Sequence, residues 1–126
     1  MEEVKTLFFD TYALFEIVHA SKNYHVYAQK DVSVITTKLN LMELYYSLLR
    51  LYGKAKAEEA FNFFNEFCVK YNDNVIKEAC EFRHENYKRD ISYIDCIGYI
   101  IAKRMGIGFL TGDEQFENFK NVEFVR

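Results

Sequence analysis

The sequence VKTLFFDTYAL, residues 4–14, is an apolar run that ends at an aspartate. Residues 4–9 have the length and composition of a buried strand, and Asp10 bounds them. A helix is predicted to follow from Thr11 to about Val18. Asp10 is therefore expected at the carboxyl end of a strand, which is where α/β proteins assemble functional sites.

The overall composition is that of a soluble globular protein. The chain has 126 residues, of which 50% are apolar and 28% charged, so we predict a single domain spanning residues 1–126. No apolar run approaches the length of a membrane span. The first ten residues, MEEVKTLFFD, are acidic where a signal peptide is basic, and we expect a cytoplasmic protein.

The cysteines and histidines do not have the spacing of a zinc site. No CxxC pair is present, and the three cysteines are expected to be buried, reduced thiols. The residues concerned are Cys68, Cys80, Cys96, His19, His25 and His84. A bound metal would therefore need oxygen ligands, which favours magnesium or manganese.

The rest of the chain alternates between apolar runs and helical patterns. A second strand is predicted at residues 32–36, and Gly53 is a stop signal for a helix over 40–52. Further helices are predicted over 55–70, 75–88 and 92–106, and strands over 108–111 and 122–125 bracket a brief helix at 114–119. This order predicts an α/β sandwich with a central, mainly parallel sheet.

Four carboxylates occupy positions that such a sheet would bring to one edge. Asp10 follows a predicted strand directly, Asp113 follows the predicted strand 108–111 after Gly112, and Asp95 lies in the first turn of its helix. Glu43 is the only charged residue between Leu39 and Leu49. Carboxylates gathered at one point repel one another by roughly 4 kcal/mol per close pair, so the fold tolerates them only if cations neutralise them or protons remain bound. Divalent metal ions held by such carboxylates can activate water for attack on phosphorus.

Helix capping is an alternative explanation for the same residues. Asp10 and Asp113 have the type and position of N-caps. Ser92-x-x-Asp95 and Asn40-x-x-Glu43 both have the pattern of a capping box. A solvated helix face would likewise account for the polar stripe Asn40, Glu43, Ser47, Arg50 and Lys54.

The chain resembles the PIN-domain family, and especially its small VapC-type ribonucleases. The resemblance rests on four motifs: LFFDTYAL at residues 7–14, NLMEL with Glu43, SYIDCIGYIIAKRMG with Asp95, and the closing T-x-D-x-x-F from Thr111 to Phe116. It implies a three-layer sandwich in which Asp10, Glu43, Asp95 and Asp113 bind one or two Mg²⁺ or Mn²⁺ ions.

The resemblance also implies roles for neighbouring residues and partners. Thr111 is expected to orient the last aspartate through a hydrogen bond, and Thr11 and Asn40 are expected to support the metal ligands. The implied activity is hydrolysis of RNA by a homodimeric toxin that a VapB-type antitoxin inhibits. Glu114 and Glu117 crowd the last motif, and the sequence leaves open which of them joins the site.

Basic residues near the predicted site are candidate RNA contacts. They lie just before the Asp95 helix and along the face that carries Glu43, although charged helix ends facing water would look the same. The candidates are Arg50, Lys54, Arg83, Lys88 and Arg89. The net charge of −3 does not exclude an RNA substrate, because the remaining charges nearly balance once four carboxylates are assigned to metal.

Other functions fit the sequence less well. A receiver domain needs an acidic pair after its first strand, and a haloacid-dehalogenase-type phosphatase needs a second aspartate where Tyr12 stands. A PIN-like binding scaffold without catalysis is disfavoured because all four acidic positions are intact. A housekeeping RNA-processing nuclease and a toxin are not distinguished by the sequence.

Overall fold

A computed structural model describes residues 3–126 of the chain. The strands are β1 (Lys5–Phe9), β2 (Val32–Ile35), β3 (Gly108–Thr111) and β4 (Val122–Phe124). The α-helices are α1 (Thr11–Val18), α2 (Lys38–Tyr52), α3 (Lys54–Asn65), α4 (Asp73–Glu85) and α5 (Tyr93–Met105), and two 3₁₀ helices span Lys22–Ala28 and Glu114–Phe116. No helix within residues 3–126 is long and apolar enough to cross a membrane.

The four strands form one parallel sheet in the order β2-β1-β3-β4. Side chains along β1 alternate between the two faces of the sheet, as the pleat requires. Leu7 and Phe9 pack with α1, α2 and α3 on one face, whereas Phe8 packs with α4 and α5 on the other. The predicted three-layer α/β sandwich is confirmed.

Gly98 brings α5 close to the sheet. A Cβ on Gly98 would lie only 2.5 Å from Cε1 of Phe8, so a larger residue would push the helix away from β1. Asp95 stands about one turn earlier on the same helix, near the carboxyl end of β1. The close packing at Gly98 therefore helps to fix the distance between Asp95 and Asp10.

The predicted start of α2 was wrong. The N-cap of α2 is Thr37, whose hydroxyl accepts a hydrogen bond from the backbone N–H of Asn40 at 3.2 Å. Asn40 is consequently inside the helix and fully buried rather than a cap. This frees the Asn40 side chain for contacts with the site.

Several other boundaries differ from the sequence predictions. α3 ends at Asn65 instead of residue 70, because the chain turns so that Cys68 pairs with Thr36 in an isolated parallel bridge. α4 ends at Glu85 rather than Lys88, and the helix predicted over 114–119 is a single 3₁₀ turn. The 3₁₀ helix Lys22–Ala28 was not predicted.

The cysteines are free, but they are not all buried as predicted. Cys96 is buried and Cys68 is half-buried, whereas Cys80 is exposed. Cys80 follows Ala79, which faces the core from α4, and a step of one residue rotates the side chain by about 100° toward solvent.

Candidate active site

A cavity of about 610 Å³ lies beyond the carboxyl ends of β1 and β3. All four of the predicted carboxylates line it. The lining residues are Asp10, Thr11, Tyr12, Glu43, Ser47, Asp95, Gly112, Asp113, Glu114, Gln115 and Arg126. We call this space the acidic cavity, and its position at the edge of a parallel sheet is where α/β proteins bind ligands.

Asp10 is held by hydrogen bonds at both of its carboxylate oxygens. Oδ1 accepts the backbone N–H of Ala13 at 2.8 Å, so Asp10 does cap α1. Oδ2 accepts the hydroxyl of Thr111. An ionised carboxylate has about four acceptor positions, so these two bonds leave room for a metal ligand bond. Capping and metal binding are therefore compatible at this residue.

Thr111 connects the first and last aspartates. Its hydroxyl donates to Asp10 and accepts the backbone N–H of Asp113 at 3.0 Å. The side chain of Asp113 in turn caps the second 3₁₀ helix by accepting the N–H of Gln115 at 2.9 Å. Thr111 thus orients the side chain of Asp10, and it holds Asp113 through the backbone.

Glu43 is positioned by a chain of hydrogen bonds that we call the Thr37 relay. The hydroxyl of Thr37 donates to Oδ1 of Asn40 at 2.6 Å. The Asn40 amide donates to the hydroxyl of Thr11 at 3.1 Å, and that hydroxyl donates to Glu43 at 2.6 Å. Thr37 and Asn40 are buried, so the relay connects the protein interior to a cavity carboxylate. Sequence reasoning named Thr11 and Asn40 but missed Thr37, although its position at a strand-to-helix junction is typical of an N-cap.

The Asn40→Ala variant is expected to weaken the site more than the fold. Removing the amide leaves Thr11 free to rotate and Glu43 without its oriented partner, and loss of such supporting contacts lowers metal affinity or activity by about 10–100-fold. Calorimetric titration with Mn²⁺ measures this directly. Asn72→Ala is the matched control, since Asn72 caps α4 away from the cavity. Equal Mn²⁺ affinities in the two variants would contradict a positioning role for the relay.

Burial and mutual repulsion raise the pKa values of two cavity carboxyls. Burial is the largest cause of the raised pKa of Asp10, and the charge of Asp95 is the next. The pKa of Asp95 is raised to about 7, first by burial and then by Glu43 and Asp113, against a hydrogen bond from Ser92 that lowers it. The four carboxylates are therefore electrostatically coupled, as convergence in one cavity requires.

Asp95 is not the cap of its own helix. Ser92 caps α5 by accepting the backbone N–H of Asp95 at 3.0 Å. The helix terminus is thus satisfied by the serine, and the Asp95 carboxylate is directed into the acidic cavity. The bond from Asp95 N–H to Ser92 is one half of the predicted capping box, so a capping contact and a place in the cavity are compatible at Asp95.

The four carboxylates share the cavity without surrounding a single point. Within residues 3–126, no three Asp, Glu, His or Cys side chains are grouped closely enough to hold a metal ion by themselves. Magnesium commonly keeps several water ligands and takes only one or two carboxylates directly. The all-oxygen donor set fits that type of ion.

Gly112 is required by close packing and not by an unusual backbone angle. A Cβ at this position would lie 2.6 Å from the carbonyl oxygen of Val125 and would overlap the ring of Tyr12. Tyr12 lines the acidic cavity, and Val125 precedes Arg126, which also lines it. The packing therefore requires a glycine at this position.

Gly112→Ala is expected to destabilise the protein by about 1–3 kcal/mol, because the added methyl must displace a backbone carbonyl. Urea denaturation measures the loss. Gly53→Ala serves as a comparison in which the added methyl meets no neighbour. Gly53 has open space around it, and its substitution strains only the backbone, which has a positive φ of 93°. A Gly112→Ala protein as stable as the wild type would show that the Val125 segment can move freely.

The basic residues predicted to contact RNA do not line the acidic cavity. Arg83 donates to the carbonyl of Ile91 at 2.9 Å and lies over the ring of Tyr93. Arg89 donates to the carbonyl of Gln115 at 2.8 Å and lies over Phe119. The remaining three, Arg50, Lys54 and Lys88, are exposed. Their contact with RNA stays a prediction.

The structure separates the two additional glutamates. Glu114 lines the acidic cavity and forms an ion pair with Arg126 at 2.5 Å between Oε1 and Nη2. Glu117 is exposed and does not line the cavity. Arg126 was not identified from the sequence, because nothing in its local pattern indicates that strand β4 returns it to this site.

Solved structures similar to this one include several VapC proteins. VapC20 of Mycobacterium tuberculosis, described as a Sarcin-Ricin loop cleaving toxin, aligns with a TM-score of 0.79 and 20% identity over 95% of this chain and 99% of its own. VapBC2 from Rickettsia felis, bound to a DNA fragment from its promoter, gives 0.72 and 15% over 96% and 99%. VapBC-5 from Mycobacterium tuberculosis gives 0.68 and 17% over 96% and 98%.

At these identities the likeness shows a shared fold. A comparison with curated protein sequences gave no match. The family model described as "PIN domain" matches residues 7–122, which include Asp10, Glu43, Asp95 and Asp113. The chain belongs to the PIN domain family.

Proposed function

We propose that the protein is a metal-dependent endoribonuclease, and that Asp10, Glu43, Asp95 and Asp113 form its catalytic centre. The observation that carries this proposal is the convergence of these four side chains, from four separate elements, on one cavity at the carboxyl edge of the sheet. Two of them have pKa values raised by burial and by neighbouring carboxylates, and strongly perturbed pKa values in a cleft are typical of functional sites.

Magnesium or manganese fits this donor set, because both ions prefer carboxylate and water oxygens. When bound, one or two such ions would supply an activated water and stabilise the negative charge that develops on the phosphate. Asp10 and Asp95 would be the central ligands, since the charge of Asp95 is, after burial, the largest cause of the raised pKa of Asp10. Glu43, held by the Thr37 relay, and Asp113, held through Thr111, would complete the site.

The chain itself would orient these ligands and bind the substrate. Thr111 directs one oxygen of Asp10 and thereby fixes which lone pairs face the cavity. Thr11 does the same for Glu43. Ser47 lines the cavity beside Glu43 and offers a hydroxyl to a phosphate oxygen.

The RNA substrate and the toxin role are supported by the solved structures. One similar protein is described as cleaving the Sarcin-Ricin loop, and others were solved as toxin–antitoxin complexes. We therefore propose a VapC-type toxin with a VapB-type antitoxin as partner. A homodimer is also proposed, and the exposed apolar residues Met42, Tyr46 and Leu49 on α2 offer a surface for such contacts.

Cleavage of a panel of structured RNAs, including a Sarcin-Ricin loop hairpin, tests the proposal. Cutting is expected with Mg²⁺ or Mn²⁺ and is expected to stop in EDTA. Asp73→Asn is a suitable control variant, because Asp73 lies in the first turn of α4 as Asp95 lies in the first turn of α5, but far from the cavity. This variant should cut like the wild type.

A well-folded protein that cuts none of these RNAs would favour a non-catalytic scaffold or a very narrow target. Mn²⁺ titration separates those outcomes. A scaffold has no need to bind the ion, whereas a nuclease with a narrow target binds it in the acidic cavity.

A further inference from the structure

Arg126 is the only basic side chain that lines the acidic cavity within the part of the chain that the structure describes. Five carboxylates line the same space: Asp10, Glu43, Asp95, Asp113 and Glu114. The guanidinium of Arg126 meets Glu114, which lies one residue beyond Asp113. One positively charged side chain, that of Arg126, therefore lies beside the proposed metal ligands.

The backbone that carries Arg126 is anchored at three points. The N–H of Val125 donates to the carbonyl of Thr111 at 2.9 Å, and the hydroxyl of Tyr24 donates to the carbonyl of Val125 at 2.5 Å. The side-chain amide of Asn23 donates to the carbonyl of Arg126 at 3.0 Å. The first 3₁₀ helix thus places Arg126 at the cavity, so its position is built into the fold.

The ion pair with Glu114 is exposed and easily exchanged. The side chains of Arg126 and Glu114 are 68% and 58% exposed, and ion pairs of this kind contribute little to stability. A guanidinium binds phosphate through the same pair of parallel hydrogen bonds that it makes with a carboxylate. An RNA phosphate can therefore replace Glu114 without loss of a bond to Arg126.

We propose that Arg126 binds a backbone phosphate of the RNA that enters the acidic cavity, and that Glu114 holds the guanidinium in place until RNA arrives. This assignment rests on the proposed nuclease function. Arg89 contacts the second 3₁₀ helix, which contains Glu114, through the carbonyl of Gln115, but it does not line the cavity. Arg126 is the residue that faces a phosphate lying next to the metal ligands.

Steady-state cleavage of an RNA hairpin that the wild type cuts, repeated over a range of salt concentrations, tests the assignment in Arg126→Met. KM is expected to rise about tenfold, the effect of losing one charged hydrogen bond, with a smaller change in kcat. The slope of log affinity against log salt should become shallower by about 0.7, the value for one phosphate contact on single-stranded nucleic acid. Mn²⁺ affinity should stay equal or become tighter, because a nearby positive charge has been removed.

Two further variants sharpen the test. Arg104→Met breaks a different surface ion pair, with Glu78 at 2.7 Å, and it should change neither KM nor the salt slope. Glu114→Gln releases Arg126 and is expected to lower KM. If Glu114→Gln instead weakens Mn²⁺ binding, Glu114 is a metal ligand and the assignment of its role is overturned.

An Arg126→Met protein with the KM and salt slope of the wild type would overturn the phosphate assignment and leave the nuclease proposal intact. A variant that weakens RNA and Mn²⁺ binding together, with a lowered Tm, would show a structural tether instead. A wild type that neither cuts RNA nor binds Mn²⁺ in the acidic cavity would overturn both proposals.

Discussion

Asp95→Asn is expected to lower the rate of RNA cleavage by about a thousandfold or more, at the upper end of what loss of one charged group from a catalytic site costs. Asp95 interacts electrostatically with three carboxylates at once, since its charge raises the pKa of Asp10 while Glu43 and Asp113 raise its own. It is therefore the central member of the proposed quartet. Single-turnover cleavage at saturating Mn²⁺ separates this loss from weaker metal binding.

The same substitution is expected to stabilise the metal-free fold at pH 8 by about 1 kcal/mol or more, because it removes a partly buried negative charge that repels its neighbours. The helix start should be unaffected, since Ser92 and not Asp95 provides the cap. Urea denaturation in EDTA measures the change, with Asp73→Asn as control. An unfolded or strongly destabilised Asp95→Asn protein would mean that the carboxylate serves the fold and would remove the argument for a catalytic role.

The central sheet and the helical layers follow from the sequence because the apolar runs are short and bounded. VKTLFF is followed by Asp10 and GFLT is followed by Gly112, and the structure has strands β1 and β3 at these places. A buried parallel strand has both faces covered, so it is continuously apolar and easily recognised. Once two strands are known to be parallel, the residues that follow them must lie at the same edge, which is how Asp10 and Asp113 come together.

Side-chain networks were harder to predict. The Thr37 relay depends on α2 beginning two residues before the predicted start, which turns Asn40 from a cap into a buried amide. Helix ends are decided by one or two hydrogen bonds, and the periodicity of apolar residues does not report them. The residues of the polar stripe on α2 therefore differ in solvent exposure. Asn40 is buried, Glu43 and Ser47 line the cavity, and Arg50 is exposed.

Arg126 could not be found from the sequence for a different reason. Its place in the cavity depends on Asn23 and Tyr24, which lie about a hundred residues earlier in a 3₁₀ helix without apolar periodicity. Contacts of that range become visible only when the sheet order is known, because β4 lies beside β3 at the sheet edge. Local patterns located the four acids, whereas the tertiary fold located the one base.

Capping and metal binding were posed as alternatives, but the structure shows that the first occurs at Asp10 and Asp113 without excluding the second. Both residues accept a backbone N–H with one oxygen and still line the cavity. The cap fixes the carboxylate, and a fixed carboxylate loses less entropy when it binds a ligand. Local and functional roles therefore reinforce each other at the ends of these strands.

The metal-free protein is expected to lose stability as the pH rises from about 5 to 8. Asp95 has a folded pKa of about 7 against an ordinary value of 3.8, and the pKa of Asp10 is raised in the same direction. In this range the folded state binds more protons than the unfolded state, so the contribution is fully present below pH 4 and is lost as the pH passes 7. The raised pKa of Asp95 alone corresponds to about 3 kcal/mol, after allowance for partial exposure to solvent.

Mn²⁺ should reverse this trend, because metal ligands must be deprotonated to bind and the bound ion supplies the missing positive charge. Stabilisation by about 2.7 kcal/mol is expected at an ion concentration 100 times Kd. Urea denaturation at pH 5 and pH 8, with EDTA or with Mn²⁺, gives the four free energies of unfolding to be compared. The curve for Asp95→Asn in EDTA should be shallower than that of the wild type, because only the raised pKa of Asp10 remains, whereas the curve for Asp73→Asn should follow the wild type. A wild-type protein that is more stable at pH 8 than at pH 5 in EDTA would show that its cavity carboxylates do not repel one another, and the proposed metal site would lose its electrostatic basis.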